Sequence, residues 1–588
     1  MHYRKEIDGL RAIAVLPVIL FHAGFWGFSG GYVGVDIFFV ISGYLITSII
    51  ISEKSENKFS IINFYERRAR RILPALSIVL LITTIAAYIL MPAELLKSYS
   101  QSLFSVATFS SNIFFYSTSG YFSSISDEMP LLHTWSLAVE EQYYIFFPVM
   151  IVIFWPLGKK WLLSCILLIA VISLISSQLL SSNNFVDANF YLIFSRAWEL
   201  FFGSAIAFVS LNKIKVARWE REAISCVGLI MIAYSILLFD RDTPFPSFYT
   251  LIPVLGTCFI IVFANHESFV GRILSNKILV FIGLLSYSLY LWHQPLFAFT
   301  RLKSVGEPSK YMFIAAVILT FFLAYLSWRY VEKPFRNKSI FSRYIIFRYS
   351  TLSITFFLLM GLAGHFYKGF EQRFDVQSYA GSIVYSPKRD DCHTVGSDYL
   401  RPRDACTYFG ENITWASFGD SHTVEPAYAL AKRLEVHNDG LIQLSFSGCP
   451  PSLLFEVKQP GCTQWVKESL LYLEENKNIE NILIGFRYSA FLYGDQLNSY
   501  PNLPDVDPKY LFNSPSDDSS RNIYWNSLEE IISRLLKAGK KVHVLYPIPE
   551  LPLDISKAAM PFSILGSSTM LNLSEATSSG YYFKRNKR

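Results

Sequence analysis

Residues 9–46 read GLRAIAVLPVILFHAGFWGFSGGYVGVDIFFVISGYLI, two apolar runs separated by a short glycine-containing stretch. A helix needs about 20 mostly apolar residues to cross a bilayer, and each run is close to that length. The chain of 588 residues is 52% hydrophobic and 17% charged, which excludes an ordinary soluble enzyme. We find about eleven such runs, near residues 10–28, 32–51, 74–91, 141–157, 161–180, 190–210, 223–239, 249–265, 279–299, 311–330 and 345–366.

The pattern changes after about residue 370. Strand-like segments such as ITWASFGD (413–420) alternate with helical segments such as NSLEEIISRLLKAGK (526–540), which is typical of an α/β domain. The sequence therefore predicts a multi-pass α-helical membrane domain in residues 1–340, with about ten transmembrane helices. One further transmembrane helix and a linker follow in residues 341–370, and a soluble α/β domain in residues 371–588.

Lysines and arginines indicate the orientation. They cluster on alternate loops, with TRLKSVGEPSK (300–310) as an exception, so the positive-inside rule places the N-terminus in the cytoplasm. An odd number of crossings then puts the soluble domain outside the inner membrane, in the periplasm or outside the cell. The net charge of +6 lies mainly beside apolar runs, so we expect membrane lipid as a partner and no nucleic acid.

Four of the seven cysteines lie in the predicted soluble domain. Disulfides persist in oxidising compartments such as the periplasm, and local pairing would join Cys392 with Cys406 and Cys449 with Cys462. Four cysteines allow three connectivities, so this pairing is one of three possibilities.

Two ionisable side chains share one face of the first predicted helix. Arg11 and His22 are eleven positions apart, which is about three helical turns and about 16 Å along the axis. Ionisable groups at membrane depth are costly and tend to be functional, so we expect Arg11 to hold an anionic ligand and His22 to transfer a proton. The alternative is that Arg11 reaches the headgroups and His22 bonds a carbonyl.

The second run adds Asp36, for which Arg11 or His22 on the adjacent helix is the expected partner. Next comes FYERRARRILPAL (64–76). Its arginines have two readings of equal weight, contact with anionic lipid headgroups or a phosphate-binding surface for a cofactor such as coenzyme A. The candidate ligands of such a cofactor are Arg67, Arg68 and Arg71.

HTWSLAVEEQYY (133–144) precedes and enters the fourth run. On the outer side, a histidine, a tryptophan and two carboxylates would suit a sugar, which binds by stacking and hydrogen bonds; equally, the aromatic residues would suit the membrane interface. The candidates are His133, Trp135, Glu140 and Glu141. SRAWELFFG (195–203) and SYSLYLWHQP (286–295) place Arg196 and His293 at span depth. Arg196 and Asp36 are further candidates for substrate binding.

Together with YVEKPFR (330–336), these motifs resemble, in order, the acyltransferase 3 family of bacterial envelope O-acyltransferases over about residues 5–335. The resemblance implies a membrane enzyme that moves an acyl group, usually acetyl, from cytoplasmic acyl-coenzyme A to a carbohydrate outside. It implies acetyl-coenzyme A as donor and no metal. Arg11 and His22 match the family's essential arginine-to-histidine motif.

The soluble half resembles the SGNH hydrolase-like domain often fused to such a unit. Ser421 in FGDSH (418–422) matches the nucleophile at the end of a strand, and Gly448 in SFSGCPP (445–451) matches the second oxyanion donor.

The resemblance has two departures. Arg487 stands near the place of the family's asparagine, and the family's late DxxH histidine is missing near the C-terminus. His422 adjoins the serine and His543 lies in an apolar strand, so both are poor bases. A serine without a base is a weak nucleophile, so we expect the domain to be incomplete or to bind the acceptor only.

The leading hypothesis is therefore an inner-membrane O-acyltransferase that modifies an envelope glycan such as lipopolysaccharide O-antigen or peptidoglycan. His22 is the general base, Arg11 orients the donor or His22, and Ser421 carries or transfers the acyl group. The alternatives are a glycan acetylesterase that uses Ser421, and a multi-pass transporter.

Overall fold

The computed structural model describes residues 3–118, 126–183, 185–208, 217–240, 242–302, 304, 308–373, 386–397, 399–409, 412–457, 459–492 and 518–546. The chain forms two compact units, and the boundary between them in the sequence follows Arg373.

The first unit is helical. Its helices are α1 (Lys5–His22), α2 (Gly34–Ser55), α3 (Ile61–Leu90), α4 (Ala93–Ala107), α5 (Ser111–Thr118), α6 (Thr134–Phe154), α7 (Lys159–Ser182), α8 (Val186–Tyr191), α9 (Ile193–Ile206), α10 (Arg218–Leu238), α11 (Leu251–Phe263), α12 (Phe269–Leu274), α13 (Lys277–Leu302), α14 (Lys310–Ser327), α15 (Lys333–Arg336) and α16 (Arg343–Phe366). A π-helical turn, Trp328–Glu332, joins α14 to α15.

Each of the eleven apolar runs overlaps one of these helices. Within the described residues, seven helical segments are long and apolar enough to cross a membrane, and they contain α2, α3, α6, α7, α10, α14 and α16. The other four runs lie on α1, which carries four charged residues in 18, on α9 and α11, which have 14 and 13 residues, and on α13. The count of eleven crossings stays a prediction.

Small residues bring α2 close to two neighbours. A Cβ on Gly34 would lie 2.2 Å from the carbonyl oxygen of Ala14 in α1, and one on Gly43 would lie 1.9 Å from that of Leu200 in α9. The backbones therefore approach where glycine leaves room, as expected for packing between membrane helices. This places α2 between α1 and α9.

A buried ion cluster joins α2 to α9. Arg196 Nη2 lies 3.1 Å from Asp36 Oδ1, and its Nη1 lies 3.2 Å from Glu199 Oε1. The expectation that Asp36 pairs with Arg11 or His22 was wrong. The contact of α2 with α9 turns Asp36 toward Arg196 instead, and sequence periodicity does not show which neighbour a helix face meets.

The second unit is α/β. Its strands are β1 (Thr407–Tyr408), β2 (Asn412–Gly419), β3 (Asp439–Ser445), β4 (Asn481–Gly485) and β5 (Lys541–Val544), and its helices are α17 (Arg389–Cys392), α18 (Val424–Leu434), α19 (Cys462–Glu475), α20 (Tyr488–Leu492) and α21 (Asp518–Lys537). The sheet order is β1-β3-β2-β4-β5. Its β2 runs parallel to β3 and β4, β5 runs parallel to β4, and β1 is antiparallel to β3.

Alternate residues of the central strands face two layers. Phe418 and Leu444 pack with Trp465 of α19 in the larger core, while Leu441 on the other face packs with Ala427 and Ala431 of α18. The structure joins Cys392 to Cys406 and Cys449 to Cys462, which is the local pairing among the three possible connectivities. Parallel strands covered on both faces leave the carboxyl ends of the strands as the place for a site.

Candidate functional site

A cavity in the first unit lies among α1, α2, α3, α6 and α13. Its basic part contains Arg11, Arg68 and Arg71. Its apolar part comes mainly from α2 and includes Phe38, Ile41 and Leu45; its polar part contains Ser136, Glu140, Tyr144 and Tyr290. It combines cationic, apolar and hydroxyl-bearing surfaces, the composition of a site for an amphipathic anion.

The polar wall follows one face of α6. Ser136, Glu140 and Tyr144 stand at intervals of four residues and line the cavity, so the wall is about 12 Å long at 1.5 Å per residue. Glu140 accepts hydrogen bonds from the Tyr144 hydroxyl (2.8 Å) and the Ser42 hydroxyl (3.1 Å). These bonds fix the carboxylate in place within the wall.

The arginines stand at one end of this wall. The Arg68 guanidinium lies 5.7 Å from the centre of the Tyr144 ring, and its Nε is buried with no hydrogen-bond partner in the described chain. Arg11 makes a 3.5 Å contact with Asp8. A buried donor without a partner costs free energy, so this end of the cavity suits an anion with several acceptor oxygens.

The opposite end of the wall leads to a group of histidines. The Tyr290 hydroxyl lies 2.6 Å from Ser136 Oγ and donates to the His133 carbonyl oxygen at 2.9 Å. The His293 ring centre lies 5.5 Å from that of His133 and 5.2 Å from that of His22. The cavity thus has arginines at one end and imidazoles next to the other.

His22 ends α1 and is 6% exposed. Its Nδ1 lies 2.9 Å from the carbonyl oxygen of Val18 one turn earlier. Since a carbonyl only accepts, Nδ1 carries the hydrogen there and Nε2 is the basic nitrogen. Arg301 of α13 donates to the His22 carbonyl oxygen at 2.5 Å, which fixes the end of the helix.

In the second unit, Ser421 lies two residues after the end of β2 and opens a short helical turn before α18. Asp420 accepts hydrogen bonds from the backbone N–H of His422 (2.9 Å) and of Arg487 (2.7 Å). The Asp420 carboxylate thus joins the serine turn to the chain after β4. Burial, followed by the charge of Asp420, raises the pKa of Tyr488 to about 12, so this phenol stays protonated at neutral pH.

Gly448 lies in the loop that follows β3, at the same edge of the sheet. Gly419 at the end of β2 pairs with Ser445 at the end of β3, so the loops that carry Ser421 and Gly448 start side by side. Gly448 has φ +62°, a left-handed conformation that glycine adopts without strain. The geometry brings the expected nucleophile and the expected oxyanion donor to one place.

Residues 4–329 match the family of acyltransferase domains called acyltransferase 3, which is more than half of the chain. The chain belongs to the acyltransferase 3 family. Residues 391–585 match the SGNH domain that occurs fused to acyltransferase 3 domains. The resemblance drawn from the sequence is confirmed for both domains.

Curated relatives are similar over more than half of this acyltransferase 3 chain. The peptidoglycan O-acetyltransferase OatA of Listeria monocytogenes is 33% identical over 353 residues, 57% of this chain and 56% of the relative. The O-acetyltransferase OatA of Staphylococcus aureus is 34% identical over 352 residues, 57% of this chain and 58% of the relative. The chain therefore spans less than two thirds of these relatives. No solved structure matches it.

Several residues expected in the acyltransferase 3 site lie elsewhere. Arg67 pairs with Glu53 at 3.0 Å, away from the cavity lining. Asp36 and Arg196 belong to the ion cluster that joins α2 to α9. Asp36 and Arg196 therefore hold the fold as a buried ion pair, whereas Arg67 forms a partly exposed ion pair.

The expected sugar platform is wrong as well. Trp135 is 1% exposed and packs on Phe190 and Tyr191, so neither a sugar nor the membrane interface reaches its ring. His133 is 4% exposed and belongs to the histidine group. Glu141 is buried, and its Oε1 has no hydrogen-bond partner among the residues described. Glu140 lines the cavity.

The structure also places two histidines that sequence reasoning did not assign. The His293 ring lies next to the rings of His22 and His133. Its signal in the sequence was the three-residue spacing from Tyr290, which places both side chains on one face of a helix. His393 lies at the end of β3, where its Nδ1 is 3.1 Å from Ser445 Oγ, and DDCH (390–393) has the D-x-x-H spacing, upstream of the serine. Asn481 and His543 lie 3.4 Å apart; Asn481 begins β4, away from the edge with Ser421.

Proposed function

We propose that the protein is a membrane O-acetyltransferase that moves the acetyl group of cytoplasmic acetyl-coenzyme A to a hydroxyl group of an envelope glycan outside the membrane. The cavity carries this proposal, because it has arginines at one end, an apolar wall from α2, and buried imidazoles next to its other end. The name of the Listeria relative, a peptidoglycan O-acetyltransferase, favours peptidoglycan over lipopolysaccharide as the acceptor.

The donor fits the residues present. Coenzyme A has phosphates at one end of a long, thin arm and a thioester at the other. Arg11, Arg68 and Arg71 would hold the phosphates, since guanidinium groups form charge-assisted bonds with phosphate oxygens. The apolar α2 side chains would hold the arm, and the thioester would end beside Tyr290 and Ser136, which line the far part of the cavity.

His22 would act as the general base. It removes the proton of the acceptor hydroxyl, whose oxygen bonds to the acetyl carbon while the carbon–sulfur bond breaks. The thiolate leaves and takes up the proton that His22 removed, which gives coenzyme A and neutral His22, so atoms and charge balance. Proton transfer by a positioned side chain contributes about 10²–10⁴-fold to the rate. Ser421 in the second unit would carry or transfer the acetyl group outside the membrane.

Labelled acetyl-coenzyme A supplied to membrane vesicles tests the proposal. Vesicles with the wild-type protein should label peptidoglycan, and lipopolysaccharide is examined in parallel. His22→Ala should lower the labelling at least about 100-fold. His266→Ala is the matched control, because the His266 side chain is 83% exposed. Full labelling with His22→Ala, or solute flux without labelling, would contradict the proposal.

A further inference from the structure

Three buried imidazoles from three different segments meet in the first unit. His22 ends α1, His133 precedes α6, and His293 lies in α13; they are 6%, 4% and 0% exposed. The ring of His293 lies between the other two, 5.2 Å from His22 and 5.5 Å from His133. His293 is therefore the central member of the group.

The hydrogen bonds of His293 define its tautomer. Its Nδ1 lies 2.7 Å from the Tyr290 carbonyl oxygen, so Nδ1 carries the hydrogen and Nε2 has a free lone pair. Nε2 is buried and has no hydrogen-bond partner within the described segments. Buried polar atoms are nearly always paired, and exceptions call for an explanation such as a catalytic role.

His293 and His133 both border the far part of the cavity. The His133 ring centre lies 5.5 Å from that of Tyr290. The His293 ring centre lies 5.4 Å from that of Tyr290, and Tyr290 lines the cavity with Ser136. The His22 ring centre lies 5.2 Å from that of His293. A proton that moves from His22 to His293 therefore moves toward the place where the donor's sulfur is expected.

We propose that His293 is a catalytic residue that relays the proton from His22 to the departing thiolate. The inference rests on the proposed function. His22 takes the proton of the acceptor hydroxyl, His293 Nε2 accepts it from His22, and the coenzyme A thiolate takes it from His293. Each imidazole returns to its neutral form, so no further reactant is needed. Because His22 is nearly inaccessible to solvent, the relay restores it for the next turnover.

The relay makes a prediction that a purely structural role does not. In His293→Gln, His22 still acts once, so the first acetyl transfer should remain close to the wild-type rate. Later turnovers should slow at least about 10-fold, at the low end of proton-transfer effects. The experiment mixes purified protein with labelled acetyl-coenzyme A and peptidoglycan fragments and follows labelled product on the millisecond to minute scale.

Three variants separate the outcomes. His293→Gln and His293→Asn should both give an initial burst of about one acetyl group per protein, which also counts the folded molecules. His22→Gln should give no burst, and His266→Gln should match the wild type. Equal loss of burst and steady rate in both His293 variants, or an unchanged steady rate, overturns the relay. If the wild type itself forms no labelled product, the proposed function fails instead.

Discussion

Arg196 and Arg68 are two inward-facing arginines of the same helical unit with opposite surroundings. Arg196 is 0% exposed, contacts two carboxylates, and lies within 5.6 Å of the ring centres of Phe39, Trp135, Phe190 and Phe245. Arg68 contacts the rings of Phe64 and Tyr144 and lines the cavity, and no carboxylate of the described residues lies within ion-pair distance of it. Both arginines keep a buried Nε without a hydrogen-bond partner in the described residues. Depth in the membrane therefore does not separate structural from functional charge, whereas the partners do.

Removal of Arg196 gives the largest expected effect. Arg196→Leu leaves Asp36 and Glu199 as buried carboxylates without a cation, and breaking a buried pair in this way costs about 3–5 kcal/mol. We expect little folded protein in membranes and a strongly lowered unfolding temperature in detergent. Arg67→Leu is the control, because its pair with Glu53 is partly exposed and is worth at most about 1 kcal/mol.

A double replacement sharpens the same test. Asp36→Asn with Glu199→Gln removes both carboxylates from the Arg196→Leu protein and should recover part of the lost stability, since no uncompensated charge then stays buried. If the double replacement does not change the stability of the Arg196→Leu protein, Arg196 acts through packing against its four aromatic neighbours.

Removal of Arg68 should leave the fold intact and weaken donor binding. A charge-assisted hydrogen bond contributes about 1.5–3 kcal/mol, so Arg68→Ala should raise the KM for acetyl-coenzyme A about 10- to 100-fold with a nearly unchanged unfolding temperature. Arg67→Ala should leave the KM unchanged. An Arg68→Ala protein with the wild-type KM, or one that unfolds like Arg196→Leu, would remove the distinction between the two arginines.

The sequence was sufficient to predict features that lie within a single helix or at the end of a single strand. It placed Arg11 and His22 on one helix, the α/β class on the second unit, and Ser421 and Gly448 at the ends of parallel strands. The sequence did not predict contacts between residues of different helices. Asp36 pairs with Arg196 because α2 packs on α9, and Trp135 is buried because rings of α2 and α8 pack on it. Helical period shows the face but not the neighbour. His293 was visible in the sequence, but its place between His22 and His133 depends on how α1 and α13 pack.

The smallest expected effect contrasts two histidines of the second unit. Burial, followed by the positive charge of Arg389, lowers the pKa of His393 to about 4, whereas an unfolded histidine has a pKa of about 6.5. Because the unfolded state binds the proton more readily, the stability present above pH 6.5 is lost as the pH falls toward 4. The loss is moderated because the ring is only partly buried.

Hydrogen exchange in β3 measures this loss in the complete protein. Between pH 7 and pH 5, after correction for the intrinsic exchange rate, wild-type Asp439–Ser445 should lose protection, since the His393 ring bonds to Ser445. His393→Gln should lose less, because glutamine does not titrate. His437→Gln, which changes an exposed histidine, should behave as the wild type. If His393→Gln and His437→Gln show the same pH response, His393 does not couple protonation to folding, and acid sensitivity of β3 then comes from other groups.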